Sequence, residues 1–486
     1  MKSVRRIVLI SCMILAIFVT SVPVMAFPTQ DTEVMKHFIL DLSDPTIRIP
    51  IPKSYEVIDV IINFGEEFGS LSNANHLFMD SNDFLHIADT GNHRVLRLDH
   101  DFNVTLEITY ANGLSLRSPQ GLYVDRHGDI FIADSGNFRI LHMDSFGNFI
   151  EEFSRPDTTL VGEEFTFNPE NLVITNTGFI FFTNGFNIAM LDSFNVFRGF
   201  SMSERLPFSF TELVFNIFAT QAQRDRRLRR TPAPYSNIFK AQDGMIYATA
   251  IHTDSRQIQR INSVGNNIFP DEAFGEITRD RDGSFLRPHF VDLTVNAFGI
   301  VTVIDRDKSL VYQYDPEGNL LAAFGGVGSL KGNFETMSSI AEDSEGNLFI
   351  LDARANNIQV LRPTLFMRLV HEAIYEQTEG RHENAMVLWE RVLAINSNYT
   401  VAHGGMARSL ERQGRWRESM AAFEIAYDRV GYTRVFNELR YEIFRDNFFL
   451  IVVIVIGGFI ALVHLLNRAK KFTNNVMNNF LYGEKS

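Results

Sequence analysis

Short apolar runs, broken by turns of Gly, Asn and Asp, fill the chain from Val57 to Leu361. Ile130-Phe131-Ile132-Ala133-Asp134 is one such run; Ser135-Gly136-Asn137 ends it, and Arg139-Ile140-Leu141-His142-Met143 follows. Runs of this length, rich in β-branched and aromatic residues and bounded by turn residues, predict β-hairpins. The pattern repeats. Ile87-Ala88-Asp89-Thr90-Gly91-Asn92-His93-Arg94-Val95 returns 45 positions later as Ile132-Ala133-Asp134-Ser135-Gly136-Asn137-Phe138-Arg139-Ile140. Weaker copies place Asn184, Thr249, Asp305 and Asp352 at the position of Asp89 and Asp134. Six copies at a period of roughly 40–50 residues, each with about four short strands, predict a mainly β fold, a six-bladed β-propeller. The last copy lacks an outer strand, and an unpaired strand, Val57 to Phe64, precedes the first. The upstream strand is expected to complete the last blade, which closes the ring and leaves no long free edge. The propeller is expected over residues 51–364.

After Pro363 the apolar period changes from two to about 3.6, which predicts helices. Ala373, Gly380 and Trp389 recur 34 residues later as Ala407, Gly414 and Phe423. A further helix is expected over Thr433–Asp446. Then comes an unbroken apolar run, residues 448–466, followed by Arg468, Lys470 and Lys471. At ~1.5 Å per residue this run matches a hydrocarbon core of ~30 Å and predicts one transmembrane helix. The opposite end, residues 1–26, reads as a signal peptide: Lys2, Arg5 and Arg6, an apolar stretch, then Val24-Met25-Ala26. A lipobox reading of Leu9-Ile10-Ser11-Cys12 is the alternative. The basic residues after the apolar run place a cytoplasmic tail, 467–486, inside a cell membrane. The expected topology is single-pass type I, with the large domain extracytoplasmic.

Composition narrows the partners. The net charge is −13, and removal of residues 1–26 takes away three positive charges and no negative ones, leaving −16. That argues against nucleic acid. Cys12 is the only cysteine, so the mature chain would have no disulfide, cysteine nucleophile or thiolate metal site. The 44 Phe suit the stacked faces of propeller blades.

The motif Asp-Thr/Ser-Gly-Asn-x-Arg-Val/Ile, followed by a Gly-Asn turn, resembles the NHL repeat. The resemblance is strong in the first two copies and spans about 310 of 486 residues. It implies an architectural role for Asp89, Asp134, Arg94 and Arg139. The aspartates are expected to accept backbone N–H bonds, and Gly91 and Gly136 to supply positive φ. The helical segment, 366–431, resembles two tetratricopeptide (TPR) repeats, although Ser419 replaces the alanine of the first copy and no proline ends either copy. Such helical pairs imply a protein-binding groove or a stalk.

Propeller ligands tend to sit over the channel, on loops that enter the innermost strands. Equivalent positions there are Asn75, Gln120, Glu170, Ser236, Val291 and Ser338, beside His76, Asn171, Asn237 and Asp292, with His289 just upstream. This is the expected ligand-binding ring. Oxygens of Asn75, Gln120 and Glu170 would suit a hard divalent cation such as Ca²⁺. The ring is similar to the metal mouths of gluconolactonase-type lactone hydrolases, which implies carbonyl polarisation and water activation. His76 and His289 would instead resemble the metal ligands of six-bladed lyases. Val291 and the two serines break the ring, so binding is favoured over catalysis. No phosphate loop, nucleophile elbow or His-Glu-x-x-His occurs.

An insertion, 201–234, carries Phe210, Leu213, Val214, Ile217 and Phe218 at helical spacing, then Arg224, Arg226, Arg227, Arg229 and Arg230. These arginines are expected to dock a protein partner or an anionic surface. The whole reads as a membrane-anchored extracytoplasmic binding or scaffold protein. Its propeller would recognise a ligand or protein, and its helical stalk would dock to a membrane complex, a transporter among them. The alternative is a metal-dependent ectoenzyme acting on lactones or as a lyase.

Overall fold

A computed structural model describes residues 35–482 except 42–43, 159–164, 186, 202–234, 252, 263–264 and 280–284. The signal-peptide reading, Cys12 and the five insertion arginines therefore lie outside the described residues. Six antiparallel sheets surround a central channel. Blade 2 shows the plan: Gly121–Val124 innermost, then Ile130–Asp134, Arg139–Met143 and Phe149–Phe153 outermost. Blades 1 and 3 repeat it, their innermost strands being His76–Met79 and Pro169–Ile174. Blade 4 is a three-stranded sheet, Tyr235–Lys240, Ile246–Ala250 and Ile258–Ile261. Blade 6 takes its outer strand from upstream of blade 1. Tyr55–Ile61 pairs antiparallel with Asn357–Pro363, which joins the two ends of the ring.

Two features differ from the sequence reading. The propeller does not begin at residue 51. Lys36–Leu40 adds to the outer strand of blade 5, Leu320–Gly325, and Arg48–Pro50 adds to that in turn. The alternation in these short strands was too brief to stand out beside the blade period. The second difference concerns the repeat glycines. Gly91 and Gly136 do not adopt positive φ; His93 (57°) and Phe138 (56°) do. Gly91 and Gly136 are required for closeness instead. A Cβ on Gly91 would collide with the Ser72 carbonyl, and one on Gly136 with that of Arg117.

The repeat motif acts as a clamp. Asp89 Oδ1 accepts from Ser72 N (2.9 Å), and its Oδ2 accepts from Asn92 Nδ2 (2.8 Å) and Arg94 Nε (2.8 Å). Arg94 then reaches Glu107 on the outer strand at 2.9 Å. In blade 2, Asp134 is bonded in the same way to Arg117 N, Asn137 and Arg139, and Arg139 reaches Glu152. Both aspartates are fully buried. A buried carboxylate needs such paired donors, because the desolvation cost is otherwise not offset.

Six helices follow: α1 (Leu365–Thr378), α2 (His382–Ile395), α3 (Thr400–Arg412), α4 (Trp416–Ile425), α5 (Arg429–Asp446) and α6 (Phe448–Tyr482). The pairs α1/α2 and α3/α4 are hairpins whose turns hold Gly380 and Gly414 at φ 78° and 72°. Trp389 and Phe423, at equivalent places, are fully buried, as are Ala373 and Ala407. The array shares one core with the propeller. Met367, Val370, Trp389 and Tyr399 pack with Tyr55, Phe324 and Leu361 of blades 5 and 6. Polar bonds fix the contact: Tyr399 OH donates to Leu321 O at 2.7 Å, and Thr364 Oγ1 to Lys53 O at 2.6 Å. The array is thus not a separate module on a linker.

Gly405 on α3 lies flat against the Trp389 indole, where an added Cβ would collide with ring atoms. Overpacking of this kind costs about 1–3 kcal/mol. Gly405→Ala should lower the thermal midpoint of the array, and Gly404→Ala, whose Cβ would meet nothing closer than 3.6 Å, should not.

Candidate functional site

The residue at which each innermost strand first faces the channel is His76, Gly121, Asn171, Asn237, Asp292 or Ser339. Each links its blade to the next. Leu122 N donates to His76 Nδ1 at 3.5 Å. Gly121 lets the backbone of blade 3 approach so closely that a Cβ would strike the Glu170 carbonyl. Asn171 Nδ2 reaches Ile238 O at 3.4 Å. Asn237 Nδ2 donates to Asp292 Oδ1. Asp292 Oδ2 accepts from Ser339 Oγ (2.5 Å) and Ile340 N (2.9 Å). Ser339 Oγ accepts from Leu77 N (2.9 Å), which returns to blade 1. The six contacts make a closed belt around the channel.

The preceding residue of each strand adds a second set of clips. Asn75 Nδ2 donates to Gln120 O (2.9 Å), Ser236 Oγ to Phe290 O (2.6 Å), and Ser338 Oγ to Ala74 O (3.2 Å). These were read from sequence as a ligand ring. In the structure, three of the six hold neighbouring blades together. Of the residues considered for a hard cation, Asn75 is tied through its Nδ2 to the backbone of blade 2. Glu170 is the one carboxylate of its ring, and burial raises its pKa. Among the described residues, no three His, Cys, Asp or Glu side chains converge. His289 Nδ1 contacts Asp307 at 3.1 Å, and His289 does not share a cavity with His76.

The cavity lies at the other end of the channel. About 750 Å³ in volume, it runs from the belt toward the turns that leave the innermost strands, where α1 stands beside it. Such a volume suits a small-molecule ligand. Of the eight predicted binding residues, His76, Asn171, Asn237 and Asp292 line its inner end; Asn75, Gln120, Glu170 and His289 do not. Burial holds His76 neutral, with its pKa lowered to about 4. Burial also raises Asp292 to about 7, against the opposing pull of the hydrogen bonds from Ser339, Ile340, Leu293 and Asn237.

The outer end was not foreseen. Three residues beyond the belt, four blades carry Met79, Val124, Ile174 and Val295, while blade 4 carries Lys240 and blade 6 Glu342. Two charges in an otherwise apolar layer were the signal in the sequence. Lys240 Nζ donates to Ile174 O (2.9 Å), Asn176 Oδ1 (2.8 Å) and Tyr123 OH (3.3 Å), so its three protons are engaged. Glu342 Oε1 accepts from Asn296 Nδ2 at 3.0 Å. From α1 come Arg368, His371 and Glu372.

Ser339→Ala would break the belt at its narrowest link, stranding the buried Leu77 N–H and removing a donor from Asp292. A loss of about 1–3 kcal/mol is expected in denaturant unfolding. The pH dependence has a definite sign. The folded pKa of Asp292 lies above the unfolded value of about 3.9. Its contribution to stability is therefore complete below that value and is lost as pH rises toward 7. Removing the Ser339 donor should raise that pKa further, so Ser339→Ala should be penalised more at pH 7 than at pH 4.

One family model, for the NHL repeat, matches residues 116–143. No curated protein matches the chain in sequence. Among solved structures it is similar to a streptogramin B lyase, with 14% identity and a TM-score of 0.41 over 64% of this chain and 98% of that one. It is similar to virginiamycin B lyase from Staphylococcus aureus, with 15% identity and a TM-score of 0.37 over 66% and 86%. It is also similar to a gluconolactonase from Xanthomonas campestris, with 13% identity and a TM-score of 0.38 over 64% and 95%. At this level of similarity nothing about activity transfers.

Proposed function

We propose that the chain is a membrane-anchored binding protein, with propeller and helical array held as one body at a membrane surface. The observation that carries this reading is α6. The most apolar 18-residue window within Phe448–Asn478 has a mean hydropathy of 3.0, and none of its residues is buried by the rest of the protein. An apolar helix with no internal partner belongs in lipid or against another protein. Asn447 alone separates it from α5, so the anchor is in nearly direct register with the array.

The large domain would lie outside the cytoplasm and the basic tail inside, as the flanking charges indicate. The array and its last helix would form the docking face for a protein of a membrane complex, a transport assembly being one such partner. Tyr441 and Phe444 of α5 are exposed close to the anchor, with Tyr432 and Phe436 exposed further up the same helix, and aromatic residues there suit both a lipid interface and a protein contact. The TPR-like character of the hairpins supports the docking role. Binding is favoured over catalysis because the polar ring at the upper mouth is engaged between blades.

Full-length chain should fractionate with membranes, and a chain ending at Asn447 should be released while keeping the unfolding midpoint of the propeller. Photo-crosslinking from position 436 in intact cells should capture one predominant membrane protein. Retention of the shortened chain in the membrane fraction, or adducts only with lipid, would count against the reading.

A further inference from the structure

Glu342 closes the innermost strand of blade 6 and lines the channel cavity. Its Oε1 is bonded to Asn296, but its Oε2 is buried without a hydrogen-bond partner. An unsatisfied buried carboxyl oxygen is costly unless something meets it. The rest of the cavity indicates what would. Eight carboxyl side chains line it against three basic ones, Arg126, Lys240 and Arg368. The Lys240 protons are engaged, and Arg368 donates to Pro363 O at 2.8 Å. Most of the aspartates are also engaged: Asp83 holds Ser344, and Asp343 holds the turn of its own hairpin through Asn347. Glu342 Oε2 within and the exposed Glu372 on α1 carry no such bond. Aromatic side chains stand in the same wall: Phe78 packs edge-on to Tyr123 at 5.2 Å, Lys240 already lies over the Tyr123 ring, and Phe239 and Phe298 also line the space.

A carboxyl group with one unpartnered oxygen, in a pocket lined by aromatic and acidic side chains, suits an organic cation. The carboxylate supplies a charge-assisted bond, and the rings supply cation–π attraction. We propose that the array-side end of the channel is a binding site for a small organic amine, with Glu342 as its counter-ion. This goes beyond the membrane-anchored reading and does not depend on it: the cavity requires only the propeller and α1.

The site carries a pH signature. Burial holds the empty Glu342 carboxyl up at about 8, with Asp343 adding to the rise and the Asn296 bond opposing it. The other titratable groups that line the cavity are His76, Asp80, Asp83, Tyr123, Asp125, Arg126, Lys240, Asp292, Asp343 and Glu345 on the blades and Arg368, His371 and Glu372 on α1; Asp292, which burial holds at about 7, titrates over the same range and is the second acid a pH profile reads. Burial keeps His371 neutral, with its pKa lowered to about 4, so it adds no charge over the range tested. An amine stabilises the carboxylate, so binding below pH 8 releases a proton. Affinity should therefore fall by up to roughly tenfold per unit as the pH drops from 8 to 6.

The test is calorimetry and thermal unfolding of the detergent-solubilised full chain with putrescine and choline, and with acetate, Ca²⁺ and a neutral sugar as contrasts. The expected result is a raised unfolding midpoint with an amine only, and affinity that weakens as pH falls. Glu342→Gln keeps the acceptor for Asn296 and should weaken binding by about tenfold or more. Glu372→Gln, at the exposed rim, guards against a folding defect and should weaken it by a few-fold. Absence of amine binding to the wild-type chain, equal binding by Glu342→Gln, or stabilisation by acetate, Ca²⁺ or sugar instead would overturn the proposal. None of those results would alter membrane fractionation or crosslinking, so the two readings fail separately.

Discussion

Closure of a ring of six sheets is the constraint on which this structure depends. A propeller blade buries its faces against its neighbours, so a gap at any point exposes two apolar sheets at once. Closure here is secured at two radii. At the outside, Tyr55–Ile61 supplies the last strand of blade 6. At the inside, side chains from His76 round to Ser339 tie innermost strands together, and at the boundary of blades 2 and 3 the close backbone approach at Gly121 takes their place. The outer device joins the first described strands to the last blade. The inner device acts at every blade boundary. The buried Asp292 is the centre of the inner belt, since it takes bonds from blades 4 and 6 as well as its own backbone.

That inner belt also explains why the channel is used from one end. Polar side chains at the upper mouth face each other across blade boundaries and take backbone partners. Their hydrogen-bonding capacity serves architecture. Beyond the belt the strands diverge toward their turns, and the space between them is left to side chains with fewer obligations. The helical array stands at that end because its core is continuous with blades 5 and 6, through Tyr399, Met367 and Tyr55. A cavity walled by both parts is a consequence of this packing.

The same core has a mechanical meaning. The apolar helix α6 follows α5 directly, α5 packs on α4 through Val435 and Phe423, and the array is bonded to the propeller. Orientation at a membrane would pass through packed side chains and not through a flexible linker. Exposed aromatic residues on α5 then stand at a fixed distance from the channel.

The sequence by itself determined the fold of most of the chain. A period of 45 residues and a strand-turn-strand grammar are local properties, set by steric preference and by burial of alternate residues. The closing strand, the change to helical period after Pro363 and the apolar run at 448–466 were legible for the same reason. What the tertiary structure decided was the use of each polar side chain. Asn75 and Asp292 are both polar positions beside an innermost strand, and nothing local distinguishes a clip between blades from a channel-lining acid. Gly91 was expected to serve backbone conformation, but the approach of Ser72 from another turn is what requires it. Lys240 and Glu342 were visible as charges in an apolar layer, but their neighbours come from other blades and from α1. Partners that are distant in sequence are fixed only when the ring closes, and those partners decide whether a charge is satisfied or left facing a cavity.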